Sequence, residues 1–233
     1  MSRPHSPARA HFERATAEHR AATTTPADRV NANAYELMLL KLAEDKRGLS
    51  SIQSIERRAE AKRALLPSYA PWVAGALANE SGVQDDVLIT VMVWSIDTGD
   101  LDTALNIAAY AIEHKLVMPD QYKRQTGCLI AEEVAEFALK AAEITPEITS
   151  KLWIVNDLTA NEDMPDEVRA KLLKAIGYGL AGGESIDDKR AALDHLKRAL
   201  ALHEKVGVKK DIEKLEREIK NLADDAGAAG AGG

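Results

Sequence analysis

Five aspartates surround a ten-residue apolar run in the stretch QDDVLITVMVWSIDTGDLD, which spans residues 84–102. Carboxylates that converge on one rigid face can bind Mg²⁺, and such a metal site could cut the phosphodiester bonds of DNA. The alternative is that these aspartates mark helix ends, where a carboxylate accepts hydrogen bonds from free N–H groups and complements the helix dipole. The candidate ligands for the metal-dependent endonuclease are Asp85, Asp86, Asp97 and Asp100.

The secondary structure of the apolar run decides between these two interpretations. Residues 87–96 are rich in Val and Ile and would suit a buried strand, but no second convincing strand exists to pair with them. The segment that follows, residues 101–112, has apolar residues at helical spacing. We therefore predict a helix opened by Asp85 and Asp86 and a second helix opened by Asp100 or Asp102. On this interpretation the chain has no catalytic residue, cofactor or metal, and Mg²⁺ enters only with the endonuclease alternative.

Basic residues are concentrated near the N-terminal end. Residues 1–65 hold 12 Lys and Arg against 8 Asp and Glu, whereas residues 66–233 hold 18 against 29. An acidic body does not bind nucleic acid over its whole surface, but a basic end can neutralise phosphates locally. The predicted contacts with double-stranded DNA are Arg47, Arg57, Arg58, Lys62 and Arg63.

These cations fall on a predicted helix, a short turn at Gly48 and a second, basic helix that ends before Pro67. Such an arrangement could lay Arg and Lys along a DNA groove, as in helix-turn-helix proteins. The alternative is a solvated face, in which Glu56 and Glu60 pair with nearby Lys and Arg at helical spacing.

The fold class follows from the abundance of Ala and Leu, from an aromatic content of only 4% and from the helical periodicity of most segments. We predict an all-α protein: a multi-helix body with a helix-turn-helix-like basic hairpin, helix pairs resembling tetratricopeptide repeats, and a C-terminal helical hairpin. The predicted regions are a flexible basic arm (1–31), a basic hairpin for DNA binding (32–66), a helical core for oligomerisation (67–182), a C-terminal helical hairpin (183–222) and a flexible tail (223–233).

Two further segments resemble cofactor-binding or catalytic motifs, but the secondary structure predicted around them does not support those functions. GYGLAGG, residues 177–183, has the glycine spacing of a dinucleotide site, but it follows a helix, so we interpret it as a helix terminus. MPDEVRAK, residues 164–171, contains the residue types of a nuclease motif, but Asp166 and Glu167 are also typical of the first turn of a helix. The sequence has no P-loop pattern, which excludes an ATP-driven motor of the standard kind.

Cysteine usage and hydropathy indicate a cytoplasmic protein. Cys128 is the single cysteine, so neither an intrachain disulfide nor a thiolate zinc cluster can form, and its apolar neighbours predict a buried thiol. The longest apolar run is too short to span a bilayer, and no apolar signal core begins the chain. His5, His11 and His19 are isolated in the basic arm, and we assign no metal to them.

Three segments together carry a family resemblance. They are SSIQSIERRAEAKRALLPSYAPWVAGAL, QDDVLITVMVWSIDTGDLDTALNIAAYAIEHKLVMPDQYKRQTGCLIAEEVAE and GVKKDIEKLEREI. They resemble the small terminase subunits of temperate contractile-tailed bacteriophages, a family also labelled terminase endonuclease subunit. The resemblance covers roughly residues 33–222, and its second segment is the most specific.

The resemblance implies a role in genome packaging in the host bacterial cytoplasm. In that family, the small subunit recognises the cohesive-end packaging site of viral DNA and presents it to the large ATPase subunit, and small subunits typically assemble as rings. A homo-oligomer is also expected here because residues 87–96 and their Leu-rich neighbours offer more apolar surface than one small body buries. We assign the large-subunit contact to the acidic, coiled-coil-like C-terminal end. The alternatives are the endonuclease and a non-enzymatic scaffold that binds only proteins.

Overall fold

The computed structural model describes residues 26–79, 81–119 and 124–230. Within these ranges the chain forms ten α-helices and no strand, which confirms the predicted all-α fold class. The helices are α1 (Pro26–Ser50), α2 (Ile55–Leu65), α3 (Ala70–Asn79), α4 (Asp86–Thr98), α5 (Leu101–Glu113), α6 (Thr126–Lys140), α7 (Pro146–Leu158), α8 (Asp166–Ala181), α9 (Ile186–Leu202) and α10 (Lys209–Gly230). Two short 3₁₀ turns, Leu66–Ser68 and Glu204–Val206, follow α2 and α9. No helix in the described part is long and apolar enough to cross a membrane.

The first of two compact units, Met1–Ser51, contains α1. This helix begins at Pro26, within residues 1–31, which the sequence predicts as a flexible basic arm. Proline is tolerated in a first helical turn because its missing N–H would have no partner there. Residues 1–25 of the predicted arm, with their three histidines, lie outside the described residues.

The second compact unit, Ile52–Gly233, contains α2 to α10. The division between the units passes through the predicted basic hairpin, residues 32–66, so that α1 and α2 belong to different units. The helix-turn-helix geometry therefore stays a prediction.

Helix α4 lies at the centre of the second unit, packed against α2, α3, α5 and α6. Every residue from 87 to 96 is buried, none being more than 8% exposed. The aromatic rings of Tyr69 and Trp94 pack edge to face, with 5.9 Å between the ring centroids. Because the run is buried inside one chain, the predicted surplus of apolar surface at residues 87–96 is wrong, and it gives no reason for oligomerisation.

The C-terminal helices pack closely, and glycine permits one of the contacts. Gly177 lies inside α8, and a Cβ added there would come within 2.7 Å of the Leu196 side chain on α9. Gly177 therefore lets two helices approach, and the end of GYGLAGG is the helix terminus that the sequence predicts, since α8 ends at Ala181 and Gly182 is its C-cap. Helices α9 and α10 and the loop between them share a core of Ala192, Leu196, Val208, Ile212 and Leu215.

The C-terminal end is helical over more residues than the sequence predicts. Helix α10 continues to Gly230, whereas the predicted flexible tail begins at residue 223. The resemblance of the helix pairs to tetratricopeptide repeats, and the division of the chain into functional regions, stay predictions.

Candidate nucleic-acid interface

The basic helix α2 forms where its sequence supplies a cap and favourable end charges. Ser54 precedes the helix, and its Oγ accepts a hydrogen bond from the backbone N–H of Arg57, with a donor–acceptor distance of 3.3 Å. Glu56 stands in the first turn, and Lys62 and Arg63 stand in the last, so each charge complements the helix dipole. No residue of α2 is fully buried; Ala59, Ala61 and Leu65 are half-buried, and polar contacts add to this apolar packing.

Two predicted DNA contacts attach α2 to the C-terminal end of α4. The Lys62 ammonium forms a salt bridge with the Asp97 carboxylate, and Lys62 keeps only 15% of its side chain exposed. The guanidinium of Arg63 donates to the carbonyl oxygen of Thr98 over 3.1 Å. A carbonyl at a helix C-terminus is a favourable partner for a cation. These contacts fix α2 in place and use part of the positive charge that the sequence assigns to DNA.

Arg58 also has a local structural contact. Its Nε and Nη2 atoms both donate to the carbonyl oxygen of Ile52, at 3.2 and 2.5 Å. The side chain is half-buried and closes the loop that leads into α2. Arg58 is therefore less accessible to a phosphate than its place in the sequence indicates.

Arg57 is the predicted contact on α2 that points most freely outward. Its residue is exposed, and within the described residues no ion pair or side-chain hydrogen bond engages its guanidinium. The exposed surface around it has two acidic and two basic side chains, so its formal charge balances. Its residues are Ile55, Glu56, Arg57, Glu60, Arg63 and Ala64.

Arg47 belongs to α1 and to the first compact unit. It is exposed, and its Nε donates to the carbonyl oxygen of Ala43 over 3.3 Å, a local contact within the same helix. The structure thus brings the four predicted contacts of α2 together on one helix, with Arg47 in the other unit. All five residues stay predictions as DNA contacts.

Asp85 and Asp86 mark the N-terminal end of α4. Asp85 is the N-cap: its Oδ1 accepts from the backbone N–H of Leu88 at 2.9 Å, and its Oδ2 accepts from the Trp72 indole at 2.8 Å. Asp86 stands in the first turn and accepts a hydrogen bond from the Gln84 side chain at 2.9 Å. The predicted helix-end role of both carboxylates is confirmed.

Asp97 and Asp100 lie at the other end of α4. Asp97 pairs with Lys62, and Asp100 caps α5 by accepting from the backbone N–H of Thr103 over 3.2 Å. Gly99 makes the sharp turn between them with a φ of +81°, which favours glycine. A rise of about 1.5 Å per residue separates the two aspartate pairs by about 17 Å. One metal ion cannot bind all four carboxylates.

An ionic cluster that the sequence analysis did not single out joins α6 to α8. Lys171 contacts Glu136 at 2.7 Å and Glu132 at 3.3 Å, and Arg124 contacts Glu132 at 2.5 Å. Hydrogen bonds from Lys171 and then Lys140 lower the pKa of Glu136. The spacing of two glutamates in AEEVAEF is the signal that could have revealed it, because residues four apart share a helix face.

Glu133 lies beside this cluster in a different electrostatic environment. Burial raises its pKa, and the negative charges of Glu136, Asp97 and Glu132 raise it further. Despite this concentration of acidic groups, no set of three His, Cys, Asp or Glu side chains in the described ranges is arranged to hold a metal ion.

Comparison with known proteins identifies the family. The sequence pattern described as phage small terminase subunit matches residues 39–167, which is more than half of the chain. The chain belongs to the phage small terminase subunit family. The resemblance seen in the sequence is thereby confirmed, and the matched range includes the last 12 of the 25 residues of α1 and all of α2 to α7.

Two relatives extend the similarity beyond the matched range. This small terminase subunit is 46% identical over 216 residues to the "Terminase, endonuclease subunit" of Escherichia phage P2, a match that covers 92% of this chain and 86% of the relative. It is 24% identical over 207 residues to the "Probable terminase, endonuclease subunit" of Haemophilus phage HP1 (strain HP1c1), covering 83% and 73%. No solved structure matches the chain. Family membership gives the chain a role in phage genome packaging and implies association with DNA and with the large terminase subunit.

Proposed function

We propose that this small terminase subunit binds the packaging site of viral DNA and presents it to the large terminase subunit, without cutting the DNA itself. The observation that carries the proposal is the basic helix α2, which is attached to α4 through Lys62 and Arg63 and leaves Arg57 exposed. A cation presented on an anchored helix can contact a phosphate without a large loss of conformational freedom. Arg47 and the arginines before residue 26 add positive charge at the same end of the sequence.

One copy offers few phosphate contacts, because the exposed surface of α2 is balanced in charge and Lys62 is paired with Asp97. Several copies in a ring would present the same cations repeatedly along one duplex. Linked weak contacts of this kind raise the total affinity without any new contact in each copy. A homo-oligomer is therefore part of the proposed function.

The other elements of the proposal concern partners and chemistry. The C-terminal hairpin of α9 and α10 is our candidate for the contact with the large subunit; its two helices carry nine acidic and nine basic side chains, so it offers both charges to a partner. Recognition needs charge, shape and oligomeric geometry, so the proposed function requires no cofactor. The expected location is the cytoplasm of the host bacterium.

A second candidate function, DNA cleavage, is favoured by the printed names of both relatives, which include the words "endonuclease subunit". It would require Mg²⁺ and a group of converging carboxylates. The separation of Asp85 and Asp86 from Asp97 and Asp100 by the length of α4 argues for recognition.

Salt-dependent DNA binding tests the proposed contacts. Fluorescence anisotropy would give the affinity for a packaging-site duplex and for a shuffled duplex across a range of KCl concentrations. Arg57→Ala should weaken binding and reduce the slope of log affinity against log salt by about 0.9 for each phosphate that the protein no longer neutralises. Arg217→Ala is the matched control, because it removes the same charge from an exposed position on α10. Equal affinities and slopes for Arg57→Ala and Arg217→Ala would exclude α2 as the DNA-binding element.

A further inference from the structure

A cleft of about 340 Å³ lies between α6, α8 and the 3₁₀ turn Glu204–Val206. We call it the α6–α8 cleft. Its lining has five Lys or Arg side chains and three Glu side chains, which gives a formal charge of +2 with His203 neutral. Residues 66–233 as a whole hold 18 Lys and Arg against 29 Asp and Glu, so the cleft has the opposite sign to the body that contains it. Its cations are Arg124, Lys140, Lys171, Lys174 and Lys205.

The carboxylates on the α6 wall neutralise only part of this charge. Arg124 contacts Glu132 at 2.5 Å, and Lys140 contacts Glu136 at 3.0 Å. Lys171 contacts both glutamates, at 3.3 and 2.7 Å. Three cations therefore share two carboxylates, and one positive charge is in excess.

Two cations on the opposite wall have no carboxylate partner within the described residues. The Lys174 ammonium donates to the carbonyl oxygen of Val206 over 2.9 Å and forms no ion pair there. Lys205 is exposed and forms no ion pair there either, whereas the neighbouring Glu204 pairs with Lys209 at 3.0 Å. Both ammonium groups have N–H donors left for an external anion.

Phosphate is the anion that suits this arrangement. A concave surface lined mainly by charges of one sign focuses the electrostatic potential and concentrates counter-ions. Lysines bind phosphate as point charges and do not need the fixed geometry of a guanidinium pair. The remaining carboxylate of the lining, Glu167, is 75% exposed, so solvent screens most of its repulsion.

We propose that the α6–α8 cleft binds backbone phosphates of the DNA that α2 contacts, with Lys174 and Lys205 as the principal cations. This inference rests on the DNA binding of the proposed function and adds a second contact element in the same compact unit. Glu133 of α6 is close to both elements, because the negative charges of Glu136 in the cleft and of Asp97, the partner of α2, both raise its pKa. One duplex could therefore contact α2 and the cleft together.

Lys205→Ala tests the cleft without removing a contact that the fold needs, since this side chain is exposed. Fluorescence anisotropy across a range of KCl concentrations should show weaker binding of packaging-site and shuffled duplexes alike. The slope of log affinity against log salt should decrease by about 0.9 for each phosphate that is no longer neutralised. Lys220→Ala is the matched control, because it removes the same charge from an exposed position of α10 outside the cleft lining. Its slope should equal that of the unsubstituted chain.

Glu136→Gln should have the opposite effect. It removes a negative charge from the cleft and releases Lys140 and Lys171, so DNA should bind more tightly and the salt slope should steepen by about 0.9 for each additional phosphate neutralised. Glu213→Gln removes the same charge from an exposed position of α10 and should leave affinity and slope unchanged. A purely structural ionic cluster would lose stability in Glu136→Gln without any gain in DNA binding.

Equal salt slopes for Lys205→Ala and Lys220→Ala, with Glu136→Gln binding no tighter than Glu213→Gln, would overturn the inference. Thermal denaturation with inorganic pyrophosphate at constant ionic strength examines the other source of phosphate. If pyrophosphate raises the Tm of the unsubstituted chain but not of Lys205→Ala, and duplex binding is equal, the cleft binds free phosphate and DNA is not its ligand. Arg57→Ala is measured separately, so a failure at the cleft does not remove the proposed DNA contact of α2.

Discussion

Asp85 shows at the scale of single residues how a carboxylate that resembles a metal ligand can be explained by folding. One of its oxygens caps α4 through the backbone of Leu88, and the other accepts from the Trp72 indole. Asp85→Ala removes both acceptors and should lower the free energy of unfolding by about 2 kcal/mol, the sum of a missing cap and a missing hydrogen bond. Urea denaturation would measure the difference.

Two controls accompany that measurement. Asp85→Asn keeps a capping oxygen and should retain most of the stability. Asp187→Ala removes an 86% exposed carboxylate whose partner is a surface arginine, and it should change the free energy of unfolding by less than about 0.5 kcal/mol. A destabilisation of equal size for Asp85→Ala and Asp187→Ala would contradict the capping role.

Glu133 provides a second prediction at this scale, and its sign follows from the pKa. Burial and the neighbouring acids raise the pKa of Glu133 in the folded state, so its ionisation costs stability as the pH rises through that pKa. Glu133→Gln removes the charge and should increase the free energy of unfolding at pH 7. The gain should disappear near pH 3, well below the ordinary pKa of glutamate, where the side chain is protonated in both states. Denaturation curves at the two pH values test this, and a gain that does not depend on pH would contradict it.

At the scale of helices, the sequence predicts α4 and α5 well because strong local signals agree. Asp85 and Asp100 cap the two helices, Gly99 separates them, and the apolar residues between have no strand partner. The sequence of the apolar run does not show whether the run is buried within one chain, because its burial depends on how many helices pack around α4. The periodicity of one apolar segment is the same whether the helix is central to its own chain or contacts another copy.

The orientation of α2 was equally hidden in the sequence. Its basic and acidic residues are distributed around the helix, and its inward face is only half-buried, at Ala59, Ala61 and Leu65. Contacts 35 positions away in the chain, from Lys62 to Asp97 and from Arg63 to Thr98, hold that face against α4. The sequence therefore identifies the basic helix but does not show which of its cations are accessible to DNA.

That ranking gives a prediction for α2 as an element. Lys62→Ala should lower the free energy of unfolding by up to about 1 kcal/mol, because it breaks the attachment to α4, and it should leave the salt slope of DNA binding nearly unchanged. Arg57→Ala should do the reverse, since its side chain is exposed. Paired denaturation and anisotropy experiments on both variants would separate the two roles. Equal reductions of the salt slope would show that Lys62 contacts phosphate directly.

For the whole molecule, affinity and assembly should be coupled. A single copy has a net charge of −7 and a charge-balanced surface around Arg57, so one copy is expected to bind DNA weakly. If several copies bind one duplex together, binding should be cooperative, with a Hill coefficient above 1 and an affinity about 10²-fold or more greater than that of the 25.3 kDa monomer. Anisotropy titrations at low salt, with sedimentation velocity on the same samples, test this coupling. Full affinity at concentrations where only the monomer sediments would show that one copy is sufficient.

The difference between a recognition subunit and a nuclease is tested most directly by incubating the purified chain with labelled packaging-site duplex and Mg²⁺, and by scoring retarded DNA and nicked DNA in the same samples. Because the aspartates at both ends of α4 cap helices, stand in a first helical turn or form an ion pair, we predict retarded duplex with both strands intact. Mg²⁺-dependent nicks that disappear in the Asp85→Asn, Asp86→Asn variant would contradict this and establish the endonuclease. Neither retardation nor nicking would instead leave a scaffold that binds only proteins.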